Sequence, residues 1–407
     1  MADEQSVINY LRSTEAIRER CGQLFELGLQ NQLPHFDCDL DPLDAAADYV
    51  IRVIDSAYPD WRIPFHSRWR HFQAGGIDRL GQLDRRLAEL PARERARAKF
   101  DLAVTSVLLD AGAGSVWQYV EPDSGKVFQR SEGLAVASYH LFLDGGFSSQ
   151  PQQLQADAIG LQQLTLERLA ADFQVTEQNP LVGLDGRLAL MQQLGCVIAE
   201  LPELFGNPAR PGGLIDYLIQ QSAKQISATQ VFAAVLTGFS EIWAGRVKLA
   251  GVNLGDVWPH SSLPDTGLGS QLVPFHKLSQ WLTYSLLEPL QELGLEITEL
   301  DRLTGLAEYR NGGLCLDLGL LKPKHADVLT EAHLPSSEVI VEWRALTIVL
   351  LDQIAARIRQ KRHLSSSELP LAKVLEGGTW AAGRQIAATL RPGGPPPLQI
   401  ISDGTVF

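Results

Sequence analysis

Two short acidic motifs are the residues best placed to do chemistry. In Leu303–Leu320 (LTGLAEYRNGGLCLDLGL), Glu308, Tyr309 and Arg310 stand in a row, preceded by apolar residues and followed by Gly312 and Gly313. Asp301 fits an N-cap and the glycines a stop, so the segment reads as a helix of about two to three turns. On it Leu303, Leu306 and Arg310 share one face, and Glu308 lies on another in register with Asp301. A carboxylate between apolar segments is expensive unless it is paired, protonated or used; an ion pair between Glu308 and Arg310 is the structural alternative. The second carboxylate, Glu376, sits in LEGGTWAAGR (Leu375–Arg384), where two glycines permit close approach and Trp380 offers a flat face. Two carboxylates from different helices facing one pocket could divide acid and base work, or stabilise an oxocarbenium-like sugar cation. If Glu376 is instead exposed, the glycines mark only a kink.

Three further clusters are candidates. In LPHFDCDLD (Leu33–Asp41), His35 precedes Asp37, Asp39 and Asp41. The alternation suggests a metal loop, but the glycine and terminal glutamate of a calcium loop are missing, and helix capping by Asp41 explains the pattern more simply. His35 could orient a ligand hydroxyl. In Ile63–Arg79, His66, Arg68, Arg70, His71 and Arg79 surround Trp69, Phe72 and Gly75-Gly76. Arginine beside a glycine turn is an anion seat, and Arg/Trp stacking is the competing structure. In Leu254–Tyr284, His260 and His276 invite a metal reading without any HExxH-type set. His276, Gln280 and Tyr284 form a polar stripe at steps of four, suited to lining a pocket. No GxSxG elbow, phosphate-binding P-loop or Rossmann fingerprint occurs, which argues against P-loop nucleotide hydrolysis and hydride transfer.

Helical periodicity supplies the elements that must hold these residues. It predicts helices over Leu43–Tyr58, Ala92–Ala111, Leu134–Leu143, Gln153–Phe173, Gly186–Leu204, Leu214–Ser222, Ala228–Trp243, Phe275–Leu293, Val339–Arg362 and Leu369–Leu390. Val339–Leu351 is apolar on nearly every side, which predicts a central buried helix. Val116–Val120 and Lys126–Gln129 read as one hairpin, Pro259–Pro274 as a long loop, and Leu398–Phe407 as an extended tail docked on the body. The 407 residues are 45% hydrophobic, enough for two lobes with no clear linker between them. A net charge of −13, from 35 basic and 48 acidic residues, does not invite nucleic acid as a partner, and the basic stretch Arg85–Lys99 is interleaved with glutamates. The four cysteines are scattered and form no CxxC pair. The polar N-terminus and the absence of long apolar runs point to a cytoplasmic protein with no membrane partner. Oligomeric state is not legible.

Taken in order, RWRHFQAGGIDR, LGDVWPH, VPFHKLSQWLTYSLLEPL, GLAEYRNGG, LEGGTWAAGR and SDGTVF resemble the uracil-catabolism protein 4 family of fungi and bacteria, from about residue 10 to 407. That resemblance makes residues 1–407 a single family-wide unit and implies a place in uracil breakdown. GLAEYRNGGLCLDLGLL is also similar to the stretch around FADYRVPQ in the queuosine-nucleotide salvage glycosidases. Those are all-helical relatives of the helix-hairpin-helix DNA glycosylases, which cut a ribosyl bond with an aspartate of that motif. Leu306 falls on the motif's phenylalanine and Glu308 on its aspartate, while Tyr309 and Arg310 match. LEGGTW is similar to LDYYLWD, with Glu376 at the aspartate and Trp380 at the tryptophan; His35 falls near a ligand-contacting histidine; EVIVEWRA (Glu338–Ala345) is similar to EVEIRA. Both aspartates are glutamates here, the aromatics of the second motif are glycines, and VPQ is NGG, which implies a different, smaller leaving group. The resemblance therefore implies a mostly helical, two-lobed, helix-hairpin-helix glycosylase-like bundle with one small β-hairpin. Its activity would be N-glycosidic hydrolysis of a ribosylurea-type nucleotide derivative, giving ribose 5-phosphate and urea without cofactor or metal. Glu308 and Glu376 would be the catalytic carboxylates. His35, Leu306, Tyr309, Arg310, Trp380 and His276 would surround the small-molecule substrate, and Arg68, Arg70 or Arg79 would seat a phosphate. Two alternatives remain at this point: a metal-dependent amidohydrolase using His260 and His276, and a non-catalytic protein that binds a pathway intermediate.

Overall fold

The computed structural model describes residues 3–150, 152–221, 224–243 and 246–401. The fold is mostly α, and among the described residues strands occur only in small two-stranded sheets. The described residues form two compact units. The first takes those within Met1–His66, Gly245–Gln280 and Glu299–Ile401, and the second those within Ser67–Ala244 and Trp281–Thr298. Among the described residues no helix is long and apolar enough to cross a membrane.

The first unit is organised on the helix Glu338–Arg362, whose Ile340, Val341, Trp343, Leu346, Leu350 and Ile354 are buried, as the apolar run predicts. Glu342, Arg344 and Thr347 are buried with them, so this helix carries polar groups that need partners. Helices Thr14–Leu29 and Leu43–Ala57 pack along it. Strand Phe36–Cys38 pairs antiparallel with Leu321–Pro323, and Val257–Pro259 pairs antiparallel with Leu272–Pro274. The segment read as a long loop is therefore the connection of a hairpin. It is tied down by hydrogen bonds from the Ser261 N–H and hydroxyl to Glu338 and from the Gln271 amide to the Leu263 carbonyl. The alternating aspartates before Leu43 lie on or beside the first strand: Asp37 meets Lys324 at 3.3 Å and Asp39 meets Lys322 at 2.6 Å. Strand alternation facing lysines, and not a metal loop, accounts for the spacing. Asp41 does not cap: the residue before Leu43 is Pro42, with no side-chain cap.

In the second unit, helices Ala92–Leu108 and Arg130–Leu143 pack together, and Phe100, Leu102, Val104, Leu134 and Phe142 on them are buried. The expected hairpin is present as Gln118–Val120 with Val127–Gln129. Helix Leu184–Glu200 lies so close to Ala158–Gln163 that a Cβ on Gly195 would stand 2.7 Å from the Ala158 carbonyl oxygen. Buried Arg187 donates to the carbonyls of Leu109 and Ala111, and buried Asp101 accepts from Arg210 and from the Gly212 N–H.

Several boundaries differ from the periodicity. Gln153–Phe173 is broken into Ala158–Gln163 and Leu166–Asp172, because Thr165 caps the second piece. Helices Glu4–Leu11 and Thr14–Leu29 add to the expected set; Ile17, Cys21, Leu24 and Gly28 give the second a buried stripe. Leu369–Leu390 is interrupted by a π-helical turn over Leu375–Thr379. Of the expected tail, Gln399–Ile400 pairs in parallel with Ala332–His333, and residues 402–407 lie outside the described residues.

Candidate active site

Glu308 is not inside a helix but begins one. The helix runs over Tyr309–Asp317, and Glu308, with φ −131° and ψ 176°, is its N-cap. One carboxylate oxygen accepts the Arg310 N–H at 2.8 Å and the other accepts the Asn311 N–H at 2.7 Å. Two of the helix's unpaired donors are thereby satisfied, and a negative charge stands where the helix dipole favours it. Gly312 and Gly313 lie within the helix instead of ending it. A Cβ on Gly312 would meet the Trp343 ring at 2.3 Å, and the Trp343 Nε1–H donates to the Gly312 carbonyl. Close packing on the central helix, not chain termination, is why glycine stands there. Asp301 belongs to a separate 3-10 turn over Leu300–Arg302, so Leu303, Leu306 and Arg310 do not share a helical face.

The run from Leu303 to Ala307, which follows that turn, is irregular and buried, so its carbonyls need donors from elsewhere. Arg18 donates to the Arg302 and Leu303 carbonyls, Asn311 to that of Leu306, and Arg344 to that of Ala307. Gln280 accepts the Thr304 N–H at 2.8 Å and donates to its hydroxyl. Arg344 is itself fixed by a two-pronged pair with Asp256, both contacts 2.7 Å, and lies over the Phe275 ring. Burial alone would push the Asp256 carboxyl up; the Arg344 charge and its hydrogen bonds outweigh that and hold it well below the usual carboxylate range. Glu308 is thus delivered by a backbone clamped at successive residues. It is 7% exposed, and each of its oxygens retains a second lone pair.

Glu376 lies in the π-helical turn, a geometry often found at functional sites. The turn packs on helix Leu43–Ala57, where a Cβ on Gly378 would stand 2.6 Å from Val50 Cγ1. The carboxylate oxygen Oε2 is 2.7 Å from His66 Nδ1. The His66 and Trp380 rings are 6.0 Å apart, and Arg384 lies over the Trp380 ring. Helix Trp380–Leu390, which continues from this turn, packs against Tyr309–Asp317 so closely that a Cβ on Gly383 would collide with the Arg310 carbonyl. The elements carrying Glu308 and Glu376 are therefore neighbours in one unit. Leu306 is buried, Tyr309 and Trp380 are half-buried, and Arg310 donates to the Gly394 carbonyl.

His35 is half-buried in the same unit, next to the strand that pairs with Leu321–Pro323. Buried Glu342 holds it by accepting the His35 and Phe36 N–H groups at 3.1 and 2.7 Å. Burial lowers the pKa of the His35 imidazole, against the opposing pull of Glu342. His260 accepts the Ser262 N–H on Nδ1, which leaves its proton on Nε2, 3.5 Å from Glu342. His276 is buried at a φ of 47° and donates from Nε2 to the Leu11 carbonyl. Among the described residues no three histidine, cysteine or acidic side chains form a metal-holding group.

The three arginines read as a phosphate seat lie in the second unit. Arg68 is fully buried, 2.8 Å from Asp110, and stacks near Trp281. Arg79 is fully buried, 2.6 Å from Glu121, and Arg70 pairs with Glu288 at 2.7 Å. Sequence reading missed the Asp256–Arg344 pair and the Arg18 clamp. An arginine inside a helix that is otherwise apolar all round was the available signal for the first.

Residues 10–407 match the family described as "Protein of unknown function (DUF1688)". The chain is 39% identical over 437 residues to "Uracil catabolism protein 4" of Lachancea kluyveri, covering 98% of this chain and 99% of that protein. It is 40% identical over 405 residues to "Protein urg3" of Schizosaccharomyces pombe, covering 98% of each.

Proposed function

This chain belongs to the DUF1688 family, and from that premise we propose that it acts in uracil catabolism as a hydrolase of an N-ribosyl bond. The substrate is a ribosylurea-type nucleotide derivative and the products are ribose 5-phosphate and urea. The C1–N bond breaks with its electron pair going to the urea nitrogen, which receives a proton from solvent or a nearby acid. Water adds to C1 and gives its proton to Glu308. The Glu308 carboxylate faces the positive charge that builds on C1, and because its oxygens are already oriented it needs no reorganisation when that charge forms. Glu376 and His35 hold ribose hydroxyls, and Trp380 walls the sugar site. The uracil-catabolism name borne by a relative aligned over nearly all of both chains supports the pathway. The reaction rests on one observation: an almost buried carboxylate, held by two backbone N–H groups, in the segment that resembles a glycosidase motif.

The test is to incubate the purified protein with ribosylurea 5′-phosphate and measure urea and ribose 5-phosphate. Equimolar release, abolished in Glu308→Gln, is expected. Binding without cleavage would replace this reading with that of an intermediate-binding protein.

A further inference from the structure

We propose that His66 is the positioning residue for Glu376, donating its Nδ1–H to Oε2 so that Oε1 is presented to a sugar hydroxyl. The inference rests on the reading of Glu376 as a ribose contact and adds to it a residue that neither the comparisons nor the resemblance supplies. The geometry is specific. His66 Nδ1 and Glu376 Oε2 are 2.7 Å apart, and their side chains are 4% and 13% exposed. A carboxylate can only accept, so the imidazole proton on this edge belongs to Nδ1. Among the described residues Oε1 makes no hydrogen bond, and the carboxylate carries most of what exposure the pair has.

His66 is itself well placed to hold a partner still. Its N–H donates to the Ala372 carbonyl at 2.9 Å, just ahead of the π-helical turn. Ring and backbone of one residue therefore grip both sides of Leu375. A glutamate has three side-chain torsions, and one hydrogen bond of this kind removes most of their freedom before a ligand arrives. The π-helical turn supplies the rest: Gly378 lies against Val50 and Ile54 of helix Leu43–Ala57 and Gly377 against Tyr58 and Ile63, which fixes the backbone on which Glu376 stands.

Asparagine can place an amide N–H near the position of the histidine Nδ1, whereas leucine cannot, so two variants separate the hydrogen bond from mere filling of space. The probe is ribose 5-phosphate, whose binding is measured by calorimetry on the full chain. In His66→Leu the affinity is expected to fall about ten- to a hundredfold, the range for a lost hydrogen bond to a charged group. In His66→Asn it is expected to return to within about threefold of the parent protein. In the parent, a low-field imidazole N–H resonance on Nδ1 is expected that disappears in Glu376→Ala. The proposal is overturned if His66→Leu binds as the parent does, if His66→Asn is as weak as His66→Leu while both melt like the parent, or if Nδ1 carries no proton. Failure to release urea with ribose 5-phosphate binding intact would refute the cleavage reaction alone; failure of the parent to bind ribose 5-phosphate would refute both.

Discussion

Glu308 has two duties in this account, capping a helix and facing a sugar cation, and two substitutions pull them apart. In Glu308→Gln one oxygen still accepts an N–H, but the other becomes an NH2 group facing a donor at a 7% exposed site. Losing half the cap and leaving one buried donor unpaired costs about 2 kcal/mol. For a cooperative unit of roughly 200 residues that lowers Tm by about 4–8 °C. Glu308→Asp is different. Aspartate is among the preferred N-cap residues, so stability is expected to stay within about 0.5 kcal/mol. The carboxylate, however, retracts by one C–C bond, about 1.5 Å. A misplacement of that size costs about a hundredfold in kcat, near 2.7 kcal/mol of barrier. The assay pairs thermal melting with urea release from saturating ribosylurea 5′-phosphate. The expected outcome is a stable, slow aspartate variant beside a less stable, inactive glutamine variant. An aspartate variant within about threefold of the parent kcat, or any glutamine variant that keeps turnover, would reduce Glu308 to a cap.

Three further outcomes are expected. Asp256→Asn leaves buried Arg344 without its carboxylate and should cost about 3–5 kcal/mol in chemical denaturation. Gly312→Ala would press a Cβ to 2.3 Å from the Trp343 ring and should destabilise by about 1–3 kcal/mol or more, whereas Gly22→Ala, with nothing within 4 Å in the helix Thr14–Leu29, should raise stability by roughly 0.5–1 kcal/mol; thermal melts of both check this. Glu121 is pushed up by burial but pulled further down by Arg79, Ser124 and His140, to about 2, so its contribution is present above about pH 4.5 and is lost as pH falls toward 2. That loss is roughly 3 kcal/mol, and Glu121→Gln should flatten the denaturation midpoint across this window.

Long-range periodicity carried most of the fold. Val339–Arg362 is apolar nearly all round, and the structure buries it at the centre of the first unit. What misled was glycine chemistry. In NGG the glycines resemble a helix stop, yet Gly312 lies against Trp343, some thirty residues away in sequence, and Gly313 against Pro397, and no local pattern records either contact. In LEGG the glycines are read as permitting close approach, and Gly378 does lie against Val50, a partner the local sequence does not name. Neither carboxylate was hidden by this: Glu308 and Glu376 were legible as acids in apolar surroundings, while their settings, a cap and a π-helical turn, depend on tertiary packing. The clamps on Arg302–Ala307 were illegible for a related reason, since Arg18, Gln280 and Arg344 come from three distant parts of the chain.

Those clamps bear on how the site would work. A carboxylate that stabilises a developing cation is useful in proportion to how little it moves, because reorganisation subtracts directly from the electrostatic gain. A cap alone would not give that rigidity, since helix ends fray. Here the residues ahead of the cap have no regular hydrogen bonding of their own and are fixed from outside, with Arg344 in turn fixed by Asp256. The consequence is that loss of Arg344 or Asp256 should degrade the placement of Glu308 without removing any group that meets the substrate. The irregular backbone beside Glu308 is thus the place where local preference gives way to side-chain support, as expected where position matters more than propensity.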